Sequence, residues 1–527
     1  MMRSGQRASR ISLILLTLLA ACGFPRPADL RGDNGDDFTM MLEASRIRIG
    51  DRASATVGVK LMRDGVTEPV VVTVAGLPAG VTADPLTVDA DAGTLTLHST
   101  AGATQGDAAL TITAAGTTHA HEVSLSLLAM GPPGTLDLSF GSGGMLAMPR
   151  GGHGDAIVLQ PDGKILISGV SVAAGSTKNF MVARYLPDGT VDSTFAGGMV
   201  LLEAALDVTT RASVAVQPDG KVVVASTFGQ FSTLGVVVRL NADGSHDNGF
   251  GSGGEALFTL GTAQFTNLMA VAAQPDGSIV LAGDTDGQAF VARLTSAGML
   301  DASFNTAGYT VVPDMGTNAR FLAVALQADA RIIAVGSGTS AGGATMTGFA
   351  RFDRNGQLDS SFDGNGSLVA NLFSGLNFIA HASIAFQQDG KIVAAGGSDD
   401  LNAGSGCVAR LLGSNGSLDM AFGVKGSRQL LTTLSSFTAG MALQSDGKFV
   451  AVGGVLIDGA QNASALVARY SNNGQIDARF GNQGQVTPVA GSVSQFEAVT
   501  LDSDGRILAT GFVAGAPDQI LLSRFWP

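Results

Sequence analysis

The feature that most constrains this chain of 527 residues is a pattern that returns at intervals of 54 to 60 residues. In each copy an Arg is followed by an Asp, and a Phe stands three residues after that Asp. The repeated arginines are Arg184, Arg239, Arg293, Arg351, Arg410, Arg469 and Arg524. The repeated aspartates are Asp137, Asp192, Asp247, Asp301, Asp359, Asp419 and Asp477. Seven copies at this period are typical of a propeller or a solenoid.

Each copy is predicted to form four short strands. In the first copy, strand-like residues 156–160 end at an Asp-Gly turn, and residues 180–185 end at a second one. Asp-Gly suits such turns because they require positive φ. The fourth copy has Asp329-Ala330 at the first turn, so we expect that turn to be distorted.

The first strand of each copy begins with a small residue and continues with a larger one, which suits a crowded strand near a propeller axis. Radial repetition of four-stranded sheets leaves few exposed edges, and four to eight blades are usual. Asp137 has no Arg upstream and Arg524 has no Asp downstream. We therefore predict a seven-bladed propeller over residues 134–527, in which residues 143–149 form the outer strand of the last blade.

The segment Gln-Pro-Asp-Gly-Lys at residues 160–164 and 217–221 resembles the delta-60 repeat, as do residues 182–184 and 418–423. The delta-60 repeat is a β-propeller family of bacterial exported proteins. The resemblance covers about 390 residues. It implies the fold, and it implies no shared reaction.

Residues 38–130 follow a different pattern, with about seven alternating strand-like runs separated by turn signals. This pattern predicts a β-sandwich. The run at residues 76–81 resembles the immunoglobulin-like modules of bacterial surface proteins. His119 and His121 are expected to lie on one face of a strand, with His98 nearby. A metal site would need further acids held in geometry, so we interpret this face as solvent-exposed.

Residues 1–21 combine a basic start with a short apolar run, which predicts a cleaved signal rather than a membrane span. The ending before Cys22 resembles the lipobox of bacterial lipoproteins, which implies that Cys22 is lipidated. Residues 22–37 are rich in Pro, Gly and Asp and are predicted to be a flexible tether. Gly23 after the anchor resembles outer-membrane sorting, so we expect a lipid-anchored protein that faces the periplasm or the cell surface.

Removing the signal changes the formal net charge from −13 to −16 because the segment contains three arginines and no acids. A chain this acidic is a poor candidate for nucleic-acid binding. Lipidation of Cys22 would leave Cys407 as the one remaining cysteine, in a slot that predicts a buried apolar role.

The repeated Arg and Asp are interpreted as structural, because seven copies of a charge pair cannot form one active site. Loops of variable length are expected on the face where the first strands begin, and binding usually occurs in such loops. The candidate ligand-binding residues there are His153, Asp155, Arg211, Asn267, Arg320, His381 and Glu497. The sequence predicts no catalytic residue, metal site or cofactor.

Two functions remain open. The first is a binding or scaffold lipoprotein that presents the propeller to a protein or glycan partner. The second is a propeller enzyme, such as a glycan lyase, a hydrolase or a quinoprotein, with its site on the variable face. A deep pocket with converging acids and bases would favour the enzyme, whereas a shallow rim would favour binding.

Overall fold

The computed structural model describes residues 37–172, 178–202, 211–229, 233–372, 381–397, 406–430, 436–456, 463–488, 493–515 and 518–527. The chain divides into two compact units, residues 1–131 and 132–527. In the described ranges both units are all-β, with two short 3-10 helices at Ala196–Gly198 and Pro313–Met315. No helix among the described residues is long and apolar enough to cross a membrane. The predicted signal, Cys22 and residues 22–36 of the tether lie outside the described residues.

The first unit contains two sheets. Its strands are β1 (Asp37–Leu42), β2 (Arg46–Ile49), β3 (Ser54–Asp64), β4 (Val70–Ala75), β5 (Val81–Ala83), β6 (Leu86–Val88), β7 (Ala92–Ser99), β8 (Gly106–Ala115) and β9 (Ala120–Ala129). One sheet has the order β1-β3-β7-β5, and the other has the order β2-β9-β8-β4-β6. Alternate residues of the strands enter a shared core, as Val57, Val59 and Leu61 of β3 do. This alternation is the pattern that the sequence shows.

The second unit begins with a seven-stranded sheet. Its strands are β10 (Met145–Leu159), β11 (Ile165–Val172), β12 (Lys178–Tyr185), β13 (Met199–Leu202), β34 (Ser494–Leu501), β35 (Ile507–Val513) and β36 (Gln519–Phe525), in the order β13-β12-β11-β10-β36-β35-β34. The long strand β10 therefore pairs with β11 on one side and with β36, the last strand of the chain, on the other. Met145 pairs with Ser523, and Ala147 pairs with Leu521, so the pairing expected of residues 143–149 with the carboxy-terminal strands is present.

The remaining sheets have four antiparallel strands each, in chain order. They are β14 (Ser213–Val216), β15 (Val222–Phe228), β16 (Leu234–Leu240) and β17 (Glu255–Phe258); β18 (Thr266–Ala273), β19 (Ile279–Thr285), β20 (Gln288–Leu294) and β21 (Tyr309–Val312); β22 (Thr317–Leu326), β23 (Ile332–Thr339), β24 (Thr345–Phe352) and β25 (Ser367–Ala370); β26 (His381–Phe386), β27 (Ile392–Gly397), β28 (Cys407–Leu411) and β29 (Ser427–Gln429); and β30 (Ser436–Leu443), β31 (Phe449–Leu456), β32 (Ala463–Tyr470) and β33 (Gln485–Val486). Small antiparallel sheets in succession are the architecture expected of a propeller.

The repeated charges join one sheet to the next. In the first copy, Nε of Arg184 donates to Oδ2 of Asp192 at 2.8 Å, and Nη1 donates to the carbonyl of Ala242 in the next copy at 2.5 Å. The guanidinium also lies over the ring of Phe195, 4.6 Å from the centroid. The matching arginine-to-aspartate bonds in the other copies measure between 2.7 and 3.0 Å.

The last of these pairs joins the two ends of the unit. Nε of Arg524 donates to Oδ2 of Asp137 at 2.8 Å, and its guanidinium lies over Phe140. Side chains of both charged residues are at most 4% exposed. The arginines therefore have the contacts that a structural role requires.

The distortion expected at Asp329-Ala330 is absent. Ala330 adopts the positive φ that glycine has in the other copies, at 66° against 83° for Gly163. The turn closes through a hydrogen bond from Gln327 N to Arg331 O at 2.8 Å, compared with 2.9 Å from Gln160 N to Lys164 O. The prediction was wrong because the flanking ladder holds alanine in a left-handed conformation at a local energetic cost.

Candidate functional site

The first strand of a copy is called the inner strand here, and five inner strands contain a β-bulge. The register skips one residue at each of these positions, so this residue has no partner on the second strand. The skipped residues are Asp155, Met269, Leu322, Ala439 and Glu497. A bulge turns a side chain away from the regular pleat. All five residues line one cavity.

A glycine on the second strand permits each bulge. A Cβ at Gly283 would overlap the carbonyl oxygen of Asn267, and a Cβ at Gly169 would overlap that of His153. The corresponding glycines in the other bulged copies are Gly336, Gly453 and Gly511. The second copy has Ser226 at this position, and its register shows no bulge. The fifth copy has Gly396 at this position and its register also shows no bulge, so the glycine permits a bulge but does not by itself reveal one.

The cavity lies where the inner strands begin, and inner-strand residues of all seven copies contribute to it. Its volume is about 700 Å³. Six of the seven candidate residues chosen from the sequence line it: Asp155, Arg211, Asn267, Arg320, His381 and Glu497. The structure thus brings together residues that lie more than 300 positions apart in the chain.

His153 reaches the cavity through Asp155. Its Nδ1 lies 2.7 Å from Oδ1 of Asp155, whose other oxygen accepts a hydrogen bond from the amide of Ala212 at 2.9 Å. The aspartate side chain is 3% exposed, whereas the imidazole is 45% exposed. Burial alone would lower the pKa of His153, but the hydrogen bond and charge of Asp155 and the charge of Glu497 outweigh it and raise that pKa.

Arg211 connects three copies across the cavity. Its Nη2 lies 2.9 Å from Nε2 of His381 and 3.0 Å from Oε2 of Glu497. Because the guanidinium is a donor only, Nε2 of His381 accepts, and the imidazole proton is assigned to Nδ1. Nδ1 lies 3.6 Å from the same Glu497 oxygen. His381 is 2% exposed and stacks on Phe437, so it holds Arg211 in place from within the wall.

A third cluster joins neighbouring copies. Nδ2 of Asn267 donates to Oδ2 of Asp284 at 2.9 Å, and Oγ1 of Thr233 donates to Oδ1 of Asn267 at 2.8 Å. Nε of Arg320 lies 4.0 Å from Oδ1 of Asp284. Burial raises the pKa of Asp284, and the hydrogen bond from Asn267 and the charge of Arg320 offset only part of this shift.

Within the described ranges, no group of three or more His, Cys, Asp or Glu side chains is arranged to hold a metal ion. In the first unit, His121 contacts Asp37 at 2.9 Å, and His98 contacts Asp84 at 2.9 Å, so these histidines lie in two separate pairs. Cys407 is buried, which raises the pKa of its thiol to about 12 and makes the thiol unreactive.

Six segments of the chain match the family model described as "Domain of unknown function (DUF5122) beta-propeller": residues 160–195, 217–250, 274–304, 327–362, 387–422 and 444–480. No curated protein matches the chain. Among solved structures, a quinonprotein alcohol dehydrogenase-like protein from Bacteroides thetaiotaomicron is 9% identical, with a TM-score of 0.34, over 83% of this chain and 94% of its own. An endo-arabinase from the same organism is 12% identical, with a TM-score of 0.30, over 49% of this chain and 93% of its own.

Likenesses this distant say nothing of a substrate or a reaction for this chain. The family matches are more informative, since all six begin at the Gln of the first turn of a copy and end at the repeated Phe. Together with the succession of small antiparallel sheets, they assign the second unit to a β-propeller family.

Proposed function

We propose that this protein is a lipid-anchored binding protein whose seven-bladed propeller presents a ligand site at the mouth of its central channel. The blades close through the outer strand that residues 145–147 supply to the carboxy-terminal blade. Cys22 carries the anchor in the bacterial outer membrane, and the protein faces the periplasm or the cell surface. The first unit serves as an immunoglobulin-like spacer. The partner is a protein or a glycan.

One observation carries this proposal. Arg211 and Arg320 line the cavity at one end of the inner strands, and His153 is held beside it by Asp155. The positions that match Arg320 in the third, sixth and seventh copies hold the uncharged residues Asn267, Phe437 and Gln495. Concave sites with a few convergent polar groups are the usual form of a ligand site. These charged residues are not part of the repeated pattern of Arg, Asp and Phe.

A glycan array probed with the full chain carrying Cys22→Ser tests the binding role, since this change removes the anchor and keeps both units. Glycans retained by this protein should be lost by the Arg320→Gln variant. The Arg354→Gln variant is the matched control, because Arg354 is exposed in a turn of the same sheet outside the cavity. Retention that neither variant changes would place binding elsewhere and contradict the proposal.

A second function, a glycan lyase, a hydrolase or a quinoprotein-like enzyme, is favoured by the His153–Asp155 pair alone. A buried carboxylate on Nδ1 and an exposed imidazole edge form the arrangement of a general base. Release of reducing ends from retained glycans, abolished by His153→Gln, would favour the enzyme. Intact glycans after prolonged incubation would favour binding.

A further inference from the structure

We infer that the channel mouth binds a small organic anion, held by N–H donors of Arg211, Arg320 and His153 that each have a buried carboxylate behind them. This inference rests on the binding role proposed above and adds the chemical class of the ligand. The pairs are His153 with Asp155, Arg211 with Glu497, and Arg320 with Asp284. They come from five different copies, so the repeat itself does not produce them.

The exposure of the two partners differs in the same sense in all three pairs. The carboxylate side chains are 3%, 5% and 8% exposed, whereas the side chains of their partners His153, Arg211 and Arg320 are 45%, 36% and 41% exposed. A ligand that enters the cavity therefore meets N–H donors first. The carboxylates orient these donors and limit their repulsion, as the partners behind a binding group commonly do.

The two arginines retain donors for a ligand. Arg211 lines the cavity, and its described contacts with His381 and Glu497 both use Nη2, so its Nε and Nη1 are not engaged by these contacts. The one described ionic contact of Arg320, from Nε to Asp284, is 4.0 Å long and so exceeds hydrogen-bond distance. Its two terminal nitrogens can donate side by side to a carboxylate or phosphate group.

The rest of the lining indicates an organic body rather than an inorganic ion. Met269, Leu322 and Ala439 line the cavity beside the charged groups. About 700 Å³ is far more than a bare ion fills. No Trp, Tyr or Phe is among the described residues that line it, so stacking on an uncharged sugar ring would contribute little.

Four sugars with the same ring and different charges test whether the ligand must be an anion. They are neutral D-glucose, the anions D-glucuronate and D-glucose 6-phosphate, and the cation D-glucosamine. Titration calorimetry with the Cys22→Ser full chain at low salt should show binding of glucuronate or glucose 6-phosphate. Whichever anion binds should do so at least about tenfold more tightly than glucose, since a charged hydrogen bond contributes more than a neutral one. The stronger of the two anions then identifies the source of the charge.

Arg320→Gln should weaken binding of the anionic hexose about tenfold or more, while Arg354→Gln should leave it unchanged. Equal binding of glucose and the anions, or tighter binding of glucosamine, would overturn the anion class but keep a ligand site at this mouth. Binding of none of the four would also overturn this inference. In that case the glycan array still decides the proposed function by itself.

Discussion

Two regions of the propeller unit use charged residues in opposite ways. The contacts of Arg, Asp and Phe between sheets recur in all seven copies, and their charged side chains are mostly buried. At the cavity, the charged residues differ from copy to copy, and their cations remain partly exposed. A group that binds one ligand need occur only once, whereas a group that joins neighbouring sheets must occur in every copy. Repetition therefore marks structure, and its interruption marks the candidate site.

Acid should destabilise the repeated region most severely, because it acts on the ion pairs of six copies at once. The carboxyl groups with a lowered pKa include Asp192, Asp247, Asp301, Asp359, Asp419 and Asp477. Burial alone would raise the pKa of each, but hydrogen bonds and the facing cations outweigh it. The ordinary value is 3.8. The stabilisation of the folded state by these carboxylates is therefore complete above about pH 4. It is lost as the pH falls through the lowered pKa values that they have in the folded protein.

Urea unfolding followed by circular dichroism at pH 6, 5, 4 and 3 measures this loss. We expect similar midpoints at pH 6 and 5 and a steep decrease below pH 4. A constant midpoint down to pH 3 would contradict the role assigned to the aspartates.

Breaking the closing pair should have the next largest effect. Arg524→Met removes the hydrogen bond that joins the chain ends and leaves the buried carboxylate of Asp137 with Arg506, at 3.6 Å, as its remaining cationic contact among the described residues. Loss of one member of a buried pair costs about 3–5 kcal/mol of the free energy of unfolding. The control is Lys60→Gln in the first unit, where the pair with Glu43 is more than half exposed and contributes less than about 1 kcal/mol.

Chemical denaturation of both variants gives the comparison. Similar losses for Arg524→Met and Lys60→Gln would show that the two ends of the unit are not held by this contact.

Adding a Cβ at a glycine beside a bulge tests whether that glycine permits the bulge, and it should destabilise the protein. Gly283→Ala would collide with the carbonyl of Asn267, so one strand must move, at about 1–3 kcal/mol. The same movement displaces the contact from Asn267 to Asp284 that underlies the third cluster. Gly342→Ala is the control, since its added Cβ meets only Ser340 Oγ at 4.0 Å. If both variants unfold at the same urea midpoint, the glycine is not what permits the bulge.

The smallest effect is expected at Ala330, which breaks the repeat without belonging to the site. Ala330→Gly should stabilise the unit by about 1 kcal/mol, because glycine adopts φ near 66° without the strain of a Cβ. Ala242→Gly, at a turn residue outside the positive-φ set, should instead destabilise it slightly. Thermal denaturation measures the melting temperature of each variant. A lower melting temperature for Ala330→Gly would contradict the strain assigned to Ala330.

The closure could be predicted from the sequence because it requires only counting. An Asp without its Arg at one end and an Arg without its Asp at the other imply the contact that Arg524 and Asp137 make. The position of the candidate residues was also predictable, since they precede the inner strands. Their grouping in the fold follows from the architecture alone.

The contacts within the site were not predictable. Arg211 meets His381 and Glu497, which lie 170 and 286 positions further along the chain, so no local pattern relates them. Asp284 was missed because it lies on a second strand, at a position that the other copies fill with residues as different as Val170, Ser337 and Phe512, so no repeated pattern marks it. The bulges depend on a close approach between two backbones, which the repeated glycines permit but do not by themselves reveal.

The most direct test of the division between repeated structure and unrepeated site is the urea midpoint, measured with and without the preferred anionic hexose. The midpoint without ligand reports stability, and its increase with ligand reports binding. Arg320→Gln should leave the midpoint without ligand unchanged but abolish its increase with ligand. Arg293→Met should lower the midpoint without ligand but retain the increase with ligand. The account would be contradicted if Arg320→Gln lowered the midpoint as far as Arg293→Met did and kept the full increase with ligand.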